Sequence, residues 1–207
     1  MTSHSRQAGG GTLFTEPVLV VNQKARLIEA ASEFAIFDQH GHPLGTVVEL
    51  PQSLLRKAVR TLKKYDRNPK HRFEIHDMGG SVVLKLARQA KTPADLVVTR
   101  ADGTPIGEMT QGHLVGRPGF TFTANGRRVG GIEADDGRSW DFSITDSSGA
   151  EVARVTKSFQ GKLKEAFAAT DNYVVEMHRH IAEPLASLVL AAALTVDKAL
   201  KKDKEHK

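Results

Sequence analysis

No cysteine occurs anywhere in the 207-residue chain. That removes disulfides, zinc–thiolate sites, thiol nucleophiles and S-palmitoylation together, and it fits a reducing compartment. Residues 1–12 carry Gly9-Gly10-Gly11 and no apolar stretch, so the N-terminus does not read as a secretory signal. A flexible polar arm over 1–12 and cytoplasmic residence, with membrane association open, are the expectations. Signatures of chemistry are missing too. There is no Walker loop, no HExxH and no GxSxG, and the chain reads as a non-enzyme without a cofactor. No zinc-finger or RNA-binding signature occurs either.

What is present is a repeat. Gly80, Gly103, Gly126 and Gly149 stand 23 residues apart, and an aliphatic residue follows each by three positions: Val83, Ile106, Val129 and Val152. Asp102-Gly103 and Asn125-Gly126 read as tight-turn dipeptides in which both central residues take positive φ. The flanks alternate as half-buried strands do. Phe120 and Phe122 alternate with Thr121 and Thr123, Phe73 and Ile75 with Glu74 and His76, and Trp140, Phe142 and Ile144 with Asp141, Ser143 and Thr145. An earlier copy turns at Gly41, and Gly45, Gly107 and Gly130 hold one place in three copies. Val18 to Ala30 reads as a further hairpin turning near Asn22–Lys24.

Six hairpins make about twelve strands. A sheet that long closes to remove its edges, and a barrel of that width needs a plug. Pro184 to Val196 supplies one: it carries no charge, and Leu185, Leu188, Leu190, Leu194 and Val196 cover every face of a helix. Thirteen residues span roughly 20 Å, against about 30 Å for a bilayer core, so burial in protein is the better reading. The expected fold is mainly β: a closed antiparallel barrel of about twelve strands over residues 13–200 around a buried C-terminal helix. A polar tail follows over 201–207.

Leu19-Val20-Val21-Asn22-Gln23-Lys24 and Phe34-Ala35-Ile36-Phe37-Asp38, then the run from Val155 to Phe167 and Asp171-Asn172-Tyr173, resemble the phospholipid scramblase-related, LURP-one-related family with its tubby-like fold. The resemblance covers about residues 13 to 200 and implies a twelve-stranded barrel around a central hydrophobic helix. It also places Ala169 to His180 on an acidic segment proposed to bind calcium in eukaryotic scramblases. Asp171 and Glu176 are the carboxylates there, while Ala169 and His180 stand at the family's first and last acidic positions. Calcium wants six to eight oxygen ligands, so the metal expectation is none beyond these two candidates. Phospholipid scrambling is a further implication of the resemblance. The family's proline-rich N-terminal region and cysteine cluster are absent from this sequence.

The inserted segment between the Gly41 and Gly80 hairpins, Pro51 to about Tyr65, reads as a basic amphipathic helix. Leu54, Leu55, Ala58, Val59 and Leu62 form an apolar stripe, and Arg56, Lys57, Arg60, Lys63 and Lys64 cover the rest. From Arg56 to Arg72 there are eight Lys/Arg against Asp66 alone, more than the whole chain's net charge of +5. Such a helix suits an anionic phospholipid headgroup or membrane surface. The bland reading is a helix packed on the barrel with solvated charges. Nucleic acid is disfavoured, because Tyr65 and Phe73 are the only aromatics near the basic run. A protein partner stays open. His40-Gly41-His42 and His178-Arg179-His180 each set two imidazoles at i, i+2, and both pairs read as surface histidines.

Overall fold

The computed structural model describes residues 11–22, 32–50, 72–88, 96–114, 117–135, 141–157 and 172–201. A short 3₁₀ turn, Gly11–Phe14, comes first. Twelve strands follow: β1 (Val18–Asn22), β2 (Ser32–Phe37), β3 (Pro43–Glu49), β4 (Arg72–Asp77), β5 (Val82–Arg88) and β6 (Leu96–Arg100), then β7 (Pro105–Leu114), β8 (Arg117–Ala124), β9 (Arg127–Ala134), β10 (Asp141–Asp146), β11 (Glu151–Thr156) and β12 (Asn172–Met177). The helix α1 (Leu185–Lys201) ends the described chain. Neighbouring strands pair antiparallel around a closed barrel, and β1 closes it by pairing with both β2 and β12.

The 23-residue period is the spacing of one hairpin to the next. Gly41, Gly80, Gly103, Gly126 and Gly149 all sit at positive φ, between 73° and 88°. In four of these turns the glycine N–H donates to the carbonyl three residues back, on Asp38, Asp77, Arg100 and Asp146. This is a type I turn closed by a left-handed glycine, with a register shift just before it in each hairpin. The fifth turn is the one in which both central residues have positive φ, with Asn125 at 51° and Gly126 at 73°. Asp102 is not at positive φ, contrary to the expectation for Asp102-Gly103: its turn is three residues long, so only the glycine must be left-handed.

The glycines that follow by four residues have a different job. They line the lumen where α1 and the 3₁₀ turn enter. A Cβ on Gly45, Gly107 or Gly130 would overlap a carbonyl oxygen of the next strand, on His76, Thr123 and Thr145 respectively. It would also press on Leu13, Leu188 or Leu185, at 3.2, 3.1 and 3.0 Å. Ala153 holds the same place in the last hairpin, and it is fully buried.

Helix α1 is the plug. Leu188, Leu190 and Leu194, with Ala191, Ala192 and Ala193, are buried among inward residues such as Ile75, Leu86, Met109, Phe122, Ile132 and Ile144. The run of alanines lets a helix stand in a lumen already filled by leucines and phenylalanines. Buried Ser187 satisfies its hydroxyl by donating to Glu183 Oε1 at 2.7 Å. The helix extends to Lys201 beyond the uncharged run that ends at Val196, because Lys, Ala and Leu propagate a nucleated helix well and the single Asp197 is only a small cost.

One further expectation is corrected: no described strand within Val18 to Ala30 pairs with β1. Strand β1 ends at Asn22, and its sheet neighbours are β2, starting at Ser32, and β12. The twelve strands are therefore five hairpins plus the two strands β1 and β12 that meet at closure. Trp140, expected to begin a strand, and the inserted helix at 51–65 lie outside the described residues.

Candidate functional site

The described tight turns lie together at one end of the barrel, the hairpin end. Four of them are tied by an aspartate side chain, Asp38, Asp77, Asp102 or Asp146. Asp38 accepts the backbone N–H groups of His40 and His42 at 2.7 and 2.8 Å, and its second oxygen is 2.8 Å from His42 Nδ1. Burial alone would raise the Asp38 carboxyl, but the hydrogen bonds from the His42 ring and from the two N–H groups outweigh it and hold the pKa below the ordinary value. Asp146 is also held low, chiefly by Ser148, with Ala150 and Arg179 adding to it. Arg100, Arg127, Arg128 and Arg179 share this end with Asp38, Asp77, Asp102 and Asp146, so charge there is mixed.

The N-terminal segment and the strap after β12 meet at the same end and form a cleft of about 310 Å³. Met177 N–H donates to Pro17 O at 2.7 Å, and His178 N–H to Val152 O at 2.9 Å, which fixes the two walls. The floor is apolar, with Leu13 and Leu190 fully buried. Phe14, Met177 and Ile181 are partly buried against the core. The rim is polar: Glu16, His178, Arg179 and His180. Arg179 is ion-paired with Asp146, and His178 Nδ1 lies 3.6 Å from Glu151. His178-Arg179-His180 is not on a strand, since β12 ends at Met177.

On the outer face of β9 to β12, Arg154 joins three carboxylates. It reaches Asp135, Asp141 (Nε to Oδ1, 2.8 Å) and Glu151 (3.2 Å). The hydrogen bond to Asp141 leads in raising the guanidinium pKa against the effect of burial.

Of the residues singled out from the sequence, Arg56, Lys57, Arg60, Lys63 and Lys64 lie outside the described residues. Their flanks do not. Leu50 N–H donates to Arg72 O at 2.9 Å, which joins the two ends of that connection at the barrel end opposite the hairpin turns. Asp171 also lies outside the described residues. Glu176 is exposed on β12, in register opposite Arg154 rather than in a nest of carboxylates. Among the described residues no three His, Asp or Glu side chains gather as a metal site. Nor is any described helix long and apolar enough to cross a membrane.

The sequence pattern of the family described as Scramblase matches residues 6–200. The chain belongs to the Scramblase family. Among curated relatives, it is 26% identical to the Altered inheritance rate of mitochondria protein 25 of Saccharomyces cerevisiae, over 79% of this chain and 59% of that protein. It is 25% identical to a phospholipid scramblase family protein of Schizosaccharomyces pombe, over 79% of this chain and 46% of that one. The chain thus spans about half the length of the curated relatives it matches. An Arabidopsis thaliana protein of known X-ray structure shares the fold with a TM-score of 0.51 at 15% identity, covering 88% of this chain and 92% of that one.

Within this Scramblase-family chain, sequence reasoning missed the cleft. Its two walls, Leu13–Pro17 and Met177–Ile181, are remote in sequence, and only the pairing of β1 with β12 brings them together. Apolar residues just outside those two strands, Phe14 and Ile181, were the available signal.

Proposed function

We propose that the protein acts by binding rather than catalysis, as a Scramblase-family barrel that holds an anionic phospholipid surface peripherally through Arg56, Lys57, Arg60, Lys63 and Lys64. The observation that carries this reading is a contrast of charge along the chain. Acids and bases are mixed at the hairpin turns, whereas the sequence of the connection whose flanks, Leu50 and Arg72, are hydrogen-bonded carries eight Lys/Arg from Arg56 to Arg72 against one acid. Each basic residue close to an anionic bilayer contributes about 1 kcal/mol, so five of them suffice for reversible, salt-sensitive attachment. The apolar C-terminal run is spent inside the barrel, so the reading rests on the basic segment and not on α1. The family and the relatives' names favour a phospholipid-related role over nucleic acid or an unrelated protein partner. Transbilayer movement is not part of this reading, because α1 fills the lumen.

Co-sedimentation with liposomes tests it. Wild type is expected to pellet with anionic but not neutral vesicles and to be released by high salt. A variant carrying Lys57→Glu, Arg60→Glu and Lys63→Glu is expected to stay in the supernatant. Wild type that ignores anionic vesicles at low salt, or a triple variant that still binds them, overturns the reading.

A further inference from the structure

The cleft at the hairpin end is a second place where a lipid would fit, and its chemistry differs from that of the basic segment. At about 310 Å³ it lies at the lower bound of small-molecule sites, and an apolar floor under a few convergent polar groups is their usual make-up. Its walls are preformed by backbone hydrogen bonds from Met177 to Pro17 and from His178 to Val152. Leu190 of α1 lies fully buried behind that floor, so the cleft sits directly over the plug. The rim carries both signs. Arg179, His178 and His180 offer donors to a phosphate, while Glu16 lines the same cleft. Asp146 and Glu151, beside Arg179 and His178, leave no net positive field for a simple anion.

From this arrangement we infer that the mouth cleft binds a single-chain zwitterionic phospholipid. The acyl chain lies over Phe14, Met177 and Ile181, with the phosphate at Arg179 and the ammonium at Glu16. The inference rests on the reading that this chain handles phospholipid, but it uses different residues at the opposite end of the barrel. A two-chain lipid fits less well, because the volume is small and the floor is closed by the helix.

Methionine-methyl NMR provides a readout without mutation. Met177 lines the cleft, Met109 is buried in the core, and Met78 is exposed at a hairpin tip. Titration with lauroyl lysophosphatidylcholine below its micelle concentration is expected to move the Met177 signal saturably, at one ligand per protein, and to leave Met78 and Met109 in place. Ile181→Trp, which fills the cleft, is expected to weaken binding at least tenfold, with the Met109 signal reporting that the variant is folded. Arg179→Ala is expected to weaken lysophosphatidylcholine several-fold and uncharged monolaurin little. A still Met177 signal, or equal movement at all three methionines, overturns the site. Laurate binding as tightly as lysophosphatidylcholine overturns the zwitterionic assignment. Vesicle sedimentation reports the basic segment and Met177 reports the cleft, so failure of one is distinguishable from failure of the other.

Discussion

Strands β8 and β9 and strands β1 and β12 are both antiparallel pairs in one closed sheet, yet they are buried differently. In β8, Phe120 and Phe122 are buried and Thr121 and Thr123 are half-exposed, the pattern of a sheet with one wet face. In β1, Leu19, Val20, Val21 and Asn22 are all buried, and in β12 so are Asn172, Tyr173, Val174 and Val175. Val21, Tyr173 and Val175 belong to the lumen core, so their neighbours Val20 and Val174, directly paired, point to the outer face and are shielded there as well. The difference follows from how each pair is made. A hairpin is specified locally by its turn. Closure joins strands about 150 positions apart with no turn between them, and burial on both faces offsets the larger entropy loss of bringing them together.

The sharpest way to break this comparison is to place one charge on each outer face. Val174→Asp buries an unpaired carboxylate beside Val20 and is expected to cost at least ~3 kcal/mol, enough to unfold much of the protein. Thr121→Asp, on the outer face of β8, is expected to change stability by no more than ~0.5 kcal/mol. Urea titration followed by circular dichroism reads both. Equal costs would mean that the seam is no more buried than the hairpins.

A subtler contrast lies within the hairpins. Gly130→Ala forces a methyl group against Thr145 O and Leu185, with a strand on one side and the plug on the other, and is expected to cost ~1–3 kcal/mol as overpacking. Gly112→Ala, on β7, meets nothing within 4 Å and is expected to be neutral or slightly stabilising, since alanine restricts the unfolded chain. A costless Gly130→Ala would show that α1 stands further from β9 than its contact with Leu185 implies.

These positions also show why some of the molecule was legible in the sequence and some was not. The left-handed glycines were legible because a turn constrains φ whatever surrounds it, and five turns repeat the constraint. The buried helix was legible because thirteen residues without charge leave few other environments. The role of Gly45, Gly107 and Gly130 was visible only as a coincidence of position, since their neighbours Leu13, Leu188 and Leu185 come from elements that no local pattern places beside them. The pairing of β1 with β12 was illegible for the same reason. Val18 to Asn22 looked like half a hairpin ending at Ala30 because the nearest polar stretch, from Asn22 to Lys24, lay next in the chain, whereas its partners are β2, which begins only at Ser32, and β12, which closure sets. The cleft depends on that closure and was lost with it.

The smallest expected effect compares two turns of one design. Asp77 uses a side-chain oxygen for a single backbone N–H, that of Ser81, at 2.9 Å. Asp38 serves two N–H groups and the His42 ring, and is itself mostly buried. Asp38→Asn keeps an oxygen for the N–H groups but removes the charge, and is expected to cost ~1 kcal/mol near neutral pH, against a few tenths for Asp77→Asn. The pH dependence carries the sign. The Asp38 carboxyl titrates lower in the folded protein than in the unfolded chain, where the reference is about 3.9. Its contribution is therefore fully present above the unfolded value and is lost as pH falls through the folded one. The stability gap between wild type and Asp38→Asn, followed by urea denaturation from pH 6 downward, should hold steady and then close at acid pH. A gap that widened there would mean that the carboxyl is protonated more readily in the fold than out of it, and that burial rather than the His40 and His42 hydrogen bonds governs this turn.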